Sequence, residues 1–151
     1  LDGRRALVTG AGRGIGLAIA QAYAEAGAEV TLCARTAPEI EAAAAELRAA
    51  GLAAEALALD VTDIAAFEAA VVARAPFDVF VNNAGTNRPK PLSEVTEADY
   101  DAVMGLNLKA AMFCARAVTR RMVAAGGGGQ TEAVCRRAVH AWVGIFYRLS
   151  N

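Results

Sequence analysis

Residues 9–16, with the sequence TGAGRGIG, constrain the fold of this chain more than any other feature. They follow a short apolar run, residues 5–9, that is typical of a buried parallel strand. Behind them, apolar residues recur at helical spacing, namely Ile15, Ile19, Ala22, Tyr23 and Ala26. The segment therefore predicts a strand, a tight glycine turn and the start of a helix.

A turn of this kind can hold a phosphate group. Glycines let the chain turn tightly and leave no Cβ between the backbone and a ligand. The first turn of the helix presents unpaired N–H groups and the positive end of the helix dipole, which favours a pyrophosphate. The glycines at 10, 14 and 16 give G-x-x-x-G-x-G, and no G-K-[ST] of a P-loop follows. Many strand-to-helix turns are glycine-rich for steric reasons alone, so this pattern needs support from other residues.

Strand and helix signals alternate along the first half of the chain. Strands are predicted at 5–9, 29–34, 53–59 and 78–82, with helices after 14, from a start at Pro38 to Ala50 and from a cap at Thr62 to Ala73. This rhythm predicts a Rossmann-like, doubly wound parallel α/β sheet with strand order 3-2-1-4 and right-handed crossovers. The fourth strand would then be an exposed edge.

A proline-containing loop at residues 86–92 separates the fourth strand from a long helical stretch. Ser93 or Thr96 is expected to begin this stretch, with acidic residues in the turn behind it. The stretch is predicted to continue to about Ala125 with a break near Gly105.

Composition excludes several function classes. A net charge of −1 with scattered basic residues indicates neither a nucleic-acid partner nor a membrane-surface partner. We expect a cytoplasmic protein, because no apolar run is long enough to span a bilayer and the first strand leaves no room for a signal peptide. Cys33, Cys114 and Cys135 lack metal-ligand spacing and are expected to be reduced thiols, so no metal site is predicted. His140 is a single histidine, which makes neither a triad nor a metal site.

Four motifs resemble, in the same order, those of the short-chain dehydrogenase/reductase family. They are Thr9-Gly10-x-x-x-Gly14-Ile15-Gly16, Asp60-Val61, Asn82-Asn83-Ala84-Gly85 and Asn107. The similarity covers about residues 3 to 126. It implies an oxidoreductase that moves hydride between a nicotinamide cofactor and the carbonyl or alcohol carbon of a small molecule.

The resemblance also implies which residues bind the cofactor. The glycine turn would hold it through Gly10, Gly12, Arg13, Gly14, Ile15 and Gly16. The motif at residues 82–85 would tie neighbouring strands together, and Asn83, Ala84 and Gly85 would line the ribose and nicotinamide side of the cofactor, although Asn and Gly are also ordinary turn residues. Asp60 and Val61 would contact the adenine, although a lone Asp at a strand end can simply cap a helix.

Asn107 is the one residue that matches the family's catalytic set. By resemblance, it would support a proton-relay water from a break in the helix. The alternative is an asparagine that disrupts the helix and bonds locally.

The end of the second strand indicates which cofactor is preferred. In this architecture an acid there accepts hydrogen bonds from the adenosine ribose, and it would repel a 2′-phosphate. Residues 30–37 contain no acid, Ala34 stands at the expected position, and Arg35 follows it. With Arg13 on the same rim, the sequence predicts that NADP(H) is preferred over NAD(H); the alternative is two solvated arginines.

The last residues do not match the family. There the family shows an apolar strand ending in serines, then a tyrosine and a lysine four residues apart. The lysines of this chain are Lys90 and Lys109, preceded four residues earlier by Thr86 and Gly105. We therefore expect residues 1–129 to be an incomplete dinucleotide-binding domain, truncated before the family's fifth strand. Residues 130–151 would be a divergent or frame-shifted tail, in which 142–147 could add to the sheet as a surrogate strand.

Without that tyrosine and lysine, the chain as given is expected to be inactive alone. The resemblance also implies that the family's homo-oligomer contact is lost, because that contact often uses the long helix beside the one missing here. Two other functions stay open: a non-catalytic nucleotide-binding module and an inert gene fragment.

Overall fold

The computed structural model describes residues 1–126 and, by their backbone, 130–133. Within this part of the chain, five parallel strands form one sheet in the order β3-β2-β1-β4-β5. The strands are β1 Arg5–Thr9, β2 Glu29–Ala34, β3 Ala54–Ala58, β4 Val79–Asn82 and β5 Gln130–Ala133. The helices are α1 Gly14–Glu25, α2 Ala37–Ala49, α3 Ile64–Val72, α4 Glu97–Met104 and α5 Ala111–Ala124. The predicted doubly wound α/β sheet and its order 3-2-1-4 are confirmed.

Helices cover both faces of the sheet, so the central strands are buried on both sides. In β1, Ala6 and Val8 pack with α1 and α2, whereas Leu7 packs with α3 and α5 on the opposite face. The alternation follows from the two-residue period of a strand. Burial on both faces explains why these strands are apolar runs, without the alternation typical of a half-exposed sheet.

The edge of β4 differs from the sequence-based expectation. β4 is paired in parallel with β5, from Val79 beside Gln130 to Asn82 beside Ala133, so the prediction of an exposed edge is wrong. The segment Gln-Thr-Glu-Ala has no apolar run to indicate a strand, but its backbone can satisfy the N–H and C=O groups that β4 presents. The division of the chain at residue 129 stays a prediction, and the surrogate strand at 142–147 lies outside the described residues.

Local sequence signals indicated where the helices begin, with the exception of α3. Thr96 caps α4, and Asp99 completes a capping box with it, as one of the two expected starts. The predicted break near Gly105 is a π-helical segment, Gly105–Ala110, between α4 and α5. α3 is capped by Asp63, whose carboxylate accepts from the backbone N–H of Ala66 at 3.0 Å, so the expectation of a cap at Thr62 is wrong. No helix in the described part of the chain is long and apolar enough to cross a membrane.

Asp99 fixes the loop that connects β4 to α4. Its carboxylate accepts from Lys90 Nζ at 2.6 Å, from Thr96 Oγ1 at 2.7 Å and from Arg88 Nη1 at 3.2 Å. These donors, Lys90 first, hold the pKa of the Asp99 carboxyl well below its ordinary value. Because Arg88 and Lys90 both bind this one nearly buried carboxylate, they anchor the loop.

We expect the Asp99→Asn variant to be less stable than the parent, because it loses two ion pairs and half of the capping box. The lowered pKa means that the contribution of Asp99 is complete above the unfolded-state pKa of about 3.9 and is lost as the pH falls through the folded-state value. The difference in melting temperature should therefore be constant from about pH 7 to pH 5 and shrink below about pH 4. Thermal unfolding followed by circular dichroism across this range measures it.

The matched control is Asp101→Asn, which removes a carboxylate from the exposed side of the same helix. It should leave the melting temperature and its pH profile close to those of the parent. Equal effects of the two variants would contradict the role given to Asp99.

Candidate dinucleotide site

The glycine turn lies at the carboxyl edge of the sheet, between β1 and α1. Gly10 and Gly14 have φ angles of 65° and 58°, which glycine adopts without steric cost. Arg13, the residue before α1, makes no side-chain cap, and the first turn of α1 carries no acid. The positive end of α1 is thus left to a ligand, which is the arrangement that suits a pyrophosphate.

Buried hydrogen bonds join the turn to the end of β4. The Asn83 amide donates from Nδ2 to the carbonyl oxygens of Thr9 at 3.0 Å and Gly10 at 3.1 Å. In return, Thr9 Oγ1 accepts from the backbone N–H groups of Asn83 and Ala84, both at 3.1 Å. The side chain of Asn83, which the resemblance placed along the cofactor, is therefore committed to the protein backbone.

Thr9 is a residue whose role the sequence did not reveal. It is fully buried, and its hydroxyl holds the two backbone groups that begin the motif after β4. The signal available was a hydroxyl at the end of an otherwise apolar strand, directly before the first glycine.

The glycines permit close approach of three chain segments. A Cβ on Gly16 would collide with the carbonyl oxygen of Gly10 and with Nδ2 of Asn83. A Cβ on Gly10 would lie 2.9 Å from Cα of Ala84. Gly10 and Gly16 are thus required for packing of the turn on β4, whether or not a ligand is bound. Ile15, between Gly14 and Gly16, is 45% exposed at the start of α1.

Three charged residues form a rim beside the glycine turn. Arg35 is exposed just past the end of β2, and the side chain of Arg13 is 90% exposed. Glu39, in the first turn of α2, has its Oε1 3.8 Å from Nε of Arg13. The same oxygen would lie 2.7 Å from a Cβ on Gly12, so the carboxylate rests against the turn. Glu39 lies just beyond residues 30–37, where an acid that contacts the ribose was expected, so the sequence did not indicate it.

Asp60 and Val61 follow β3 at the same edge of the sheet. Asp60 Oδ1 accepts from the backbone N–H of Thr62 at 2.9 Å and from its hydroxyl at 2.8 Å. These bonds, with a smaller contribution from the charge of Arg35, lower the pKa of Asp60. Val61 is buried and packs with α3 and α5. Asp60 therefore shapes a turn and stays exposed and ionised there, while Asp63 caps the helix.

Asn107 lies in the π-helical segment and bonds to the loop after β4. Its Oδ1 accepts from the backbone N–H of Thr86, and its Nδ2 donates to the carbonyl of Thr86, both at 2.8 Å. A Cβ on Gly85 would lie 3.3 Å from Asn107 Oδ1, so the contact extends to the end of the asparagine motif. The side-chain amide is thus bonded to the loop after β4, from a π-helical distortion of a kind that is frequent at functional sites.

The described cysteines have no catalytic setting. Cys33 and Cys114 are free thiols in the core, and burial raises the pKa of each to about 12. The described residues contain no group of three His, Cys, Asp or Glu side chains that could hold a metal ion. Cys135 and His140 lie outside the described residues.

We expect Gly16→Ala to destabilise the protein by about 1–3 kcal/mol, because the added methyl group overpacks the junction with Asn83. Gly105→Ala is the matched control, since its Cβ meets no atom within 4 Å and its φ is −58°. It should be neutral or stabilising by up to about 1 kcal/mol. Urea unfolding of the two variants measures the difference, and a Gly16→Ala variant as stable as Gly105→Ala would contradict the packing argument.

Comparison with known proteins places this geometry in a family. Residues 4–134 match the family model described as short chain dehydrogenase. Gluconate 5-dehydrogenase of Gluconobacter oxydans is 43% identical over 132 residues, which cover 85% of this chain and 52% of that protein. D-erythrulose reductase of Gallus gallus is 42% identical over 136 residues, covering 90% of this chain and 54% of that protein. The chain spans about half the length of the curated relatives it matches.

Solved structures have the same fold. A gluconate 5-dehydrogenase from Burkholderia cenocepacia, crystallised with NADP and tartrate, aligns with a TM-score of 0.82 and 40% identity over 89% of this chain and 54% of its own. A metagenomic short-chain oxidoreductase in complex with NADP aligns with a TM-score of 0.83 and 38% identity over 91% of this chain and 64% of its own. The match to the family model extends eight residues beyond 126, where the similarity was expected to end, and includes β5. The chain belongs to the short-chain dehydrogenase family.

Proposed function

We propose that this chain is the cofactor-binding part of an NADP(H)-dependent oxidoreductase. The observation that carries the proposal is the positive end of α1, whose own first turn carries no acid and which is bordered by Arg13 and Arg35. In the proposed mode the pyrophosphate lies on the glycine turn, and the two arginines bind the 2′-phosphate. Asp60 and Val61 lie at the adenine. NADP in two of the matched crystal structures supports this assignment.

At the other end of the cofactor, Asn83, Ala84 and Gly85 would line the ribose and nicotinamide. In this mode their backbone and the small side chain of Ala84 form the wall, since the amide of Asn83 is already bonded to β1. Asn107 would position the loop at this wall through Thr86.

The proposed substrate is a small polyhydroxylated alcohol or ketone. Relatives named gluconate 5-dehydrogenase, D-erythrulose reductase and sorbitol dehydrogenase support this class. Free, buried Cys33 and Cys114 fit a reducing compartment, which supports the expected cytoplasmic location. The predicted loss of the family's subunit contact stays a prediction.

A second candidate is a nucleotide-binding module without catalysis. It is favoured by one sequence fact, that no tyrosine is followed four residues later by lysine in these 151 residues. A tyrosine hydroxyl, with an ordinary pKa near 10, needs a neighbouring cation to act as a base near neutrality. Both candidates share the cofactor site, and they differ only in turnover.

We expect NADP⁺ to bind more tightly than NAD⁺. A hydrogen bond from a guanidinium to phosphate contributes roughly 1.5–3 kcal/mol. At about 1.4 kcal/mol per decade, one such arginine gives a preference on the order of 10–100-fold, smaller at high salt. Calorimetric titration of both cofactors measures the ratio.

The control for that ratio is the double variant Ala34→Asp with Arg35→Ala, which restores an acid and removes a cation at the end of β2. It should abolish or reverse the preference. The assignment of Arg35 is wrong if NAD⁺ binds the parent as tightly as NADP⁺, or if the double variant keeps the parent's ratio.

We also expect that these 151 residues bind cofactor without turning over. General acid–base catalysis is typically worth about 10²–10⁴-fold, and the residues that supply it in this family are missing from the sequence. The measurement is NADPH absorbance with D-erythrulose or another small ketose. Oxidation of NADPH at ordinary enzymatic rates would contradict the expectation.

A further inference from the structure

We propose that Glu39 limits the selectivity for NADP(H), by holding Arg13 and by placing a negative charge where the 2′-phosphate binds. Glu39 is thus a specificity-determining residue. The inference rests on the proposed function, because it concerns the same phosphate position.

The contact geometry places the carboxylate at the centre of the rim. Oε1 of Glu39 is 3.8 Å from Nε of Arg13 and rests on the backbone of Gly12, where a Cβ would lie only 2.7 Å away. The side chain of Glu39 is 37% exposed, whereas that of Arg13 is 90% exposed. The carboxylate is therefore the more fixed partner, and a side chain on residue 12 would displace it.

Helix α2 explains why an acid occupies this place. Glu39 is the acidic residue in the first turn of α2, where the helix dipole favours a negative charge. Thr36, the residue before the helix, makes no side-chain cap, so its hydroxyl does not accept from the N–H groups of the first turn. The helix dipole thus favours a negatively charged side chain at this position beside the glycine turn.

The charges on the rim then act against one another. Arg13 and Arg35 bring two positive charges and Glu39 one negative charge, so an incoming 2′-phosphate meets a net charge of +1 on these three residues. To bind both arginines, the phosphate must take Arg13 from Glu39. By contrast, an acid at this end of a dinucleotide site can accept a hydrogen bond from the free 2′-hydroxyl of the NAD(H) ribose. Glu39 therefore weakens NADP(H) binding more than it weakens NAD(H) binding.

The test is calorimetric titration of NADP⁺ and NAD⁺ with Glu39→Gln and with Glu41→Gln. Glutamine keeps the size of the side chain and removes its charge. Glu39→Gln removes the exposed ion pair with Arg13 and the repulsion between residue 39 and the 2′-phosphate. We therefore expect the ratio of NADP⁺ to NAD⁺ affinity to rise about 3- to 10-fold. Glu41→Gln removes the same charge from an exposed position two residues further along the helix and should change the ratio less than about twofold.

Two further measurements separate an electrostatic role from a structural one. The gain in Glu39→Gln should shrink as salt is raised from about 0.05 to 0.5 M, because exposed charges are screened. It should also be smaller in the background of Arg13→Ala, where only the repulsion between Glu39 and the phosphate remains. A purely structural effect of Glu39 would follow neither salt nor Arg13.

The inference is overturned if Glu39→Gln changes both affinities equally, lowers that of NADP⁺, or matches Glu41→Gln. Each of these results leaves a parent preference for NADP⁺ standing, so the proposed function survives them. The proposed function is overturned instead if the parent prefers NAD⁺ and the double variant Ala34→Asp with Arg35→Ala leaves the affinity ratio unaltered. A ratio that still rises in Glu39→Gln would then support the role of Glu39 through Arg13 alone.

Discussion

The fit of the Asn83 amide against the carbonyls of Thr9 and Gly10 is the constraint on which the site depends. This contact joins the ends of β1 and β4 at the carboxyl edge of the sheet, in a place without room for a Cβ on Gly16. A buried polar group left without a partner costs about 1–3 kcal/mol, so the amide and the carbonyls hold each other in place. Because the turn is held this way, α1 begins at Gly14 and directs its free N–H groups to the edge.

Local patterns were sufficient to predict most of the sheet. Apolar runs such as residues 5–9 indicate doubly buried strands, and parallel strands need helical crossovers, which fixes the alternation and its handedness. β5 escaped prediction because Gln130–Ala133 carries no pattern of its own; its extended state comes from pairing with β4, a contact across about fifty residues of chain. The cap of α3 was misassigned by one residue, since Thr62 and Asp63 are both good capping residues and only the bond of Thr62 to Asp60 distinguishes them.

The candidate site was predicted as a set of positions, but the sequence left the bonding partners of the side chains open. The partners of Asn83 lie 74 and 73 residues away, and the partner of Asn107 lies 21 residues away. No spacing rule connects them, so an amide that lines a ligand and an amide that binds backbone look the same in the sequence. Glu39 was missed for a related reason: it reaches the rim from the helix after β2, and the search for an acid followed the strand.

Different interactions hold the β4 side and the β2 side of the sheet's carboxyl edge. This difference determines which property of cofactor binding each side controls. On the β4 side, Thr86 is bonded to Asn107, and the loop is bound by the nearly buried Asp99 through Arg88 and Lys90. Such bonds fix positions and are little affected by salt. On the β2 side the charged groups are exposed, so each is worth little alone and can change without disturbing the core. In the proposed binding mode, the geometry around the nicotinamide is therefore set by the fold, while the choice between the two cofactors is set by a few surface charges.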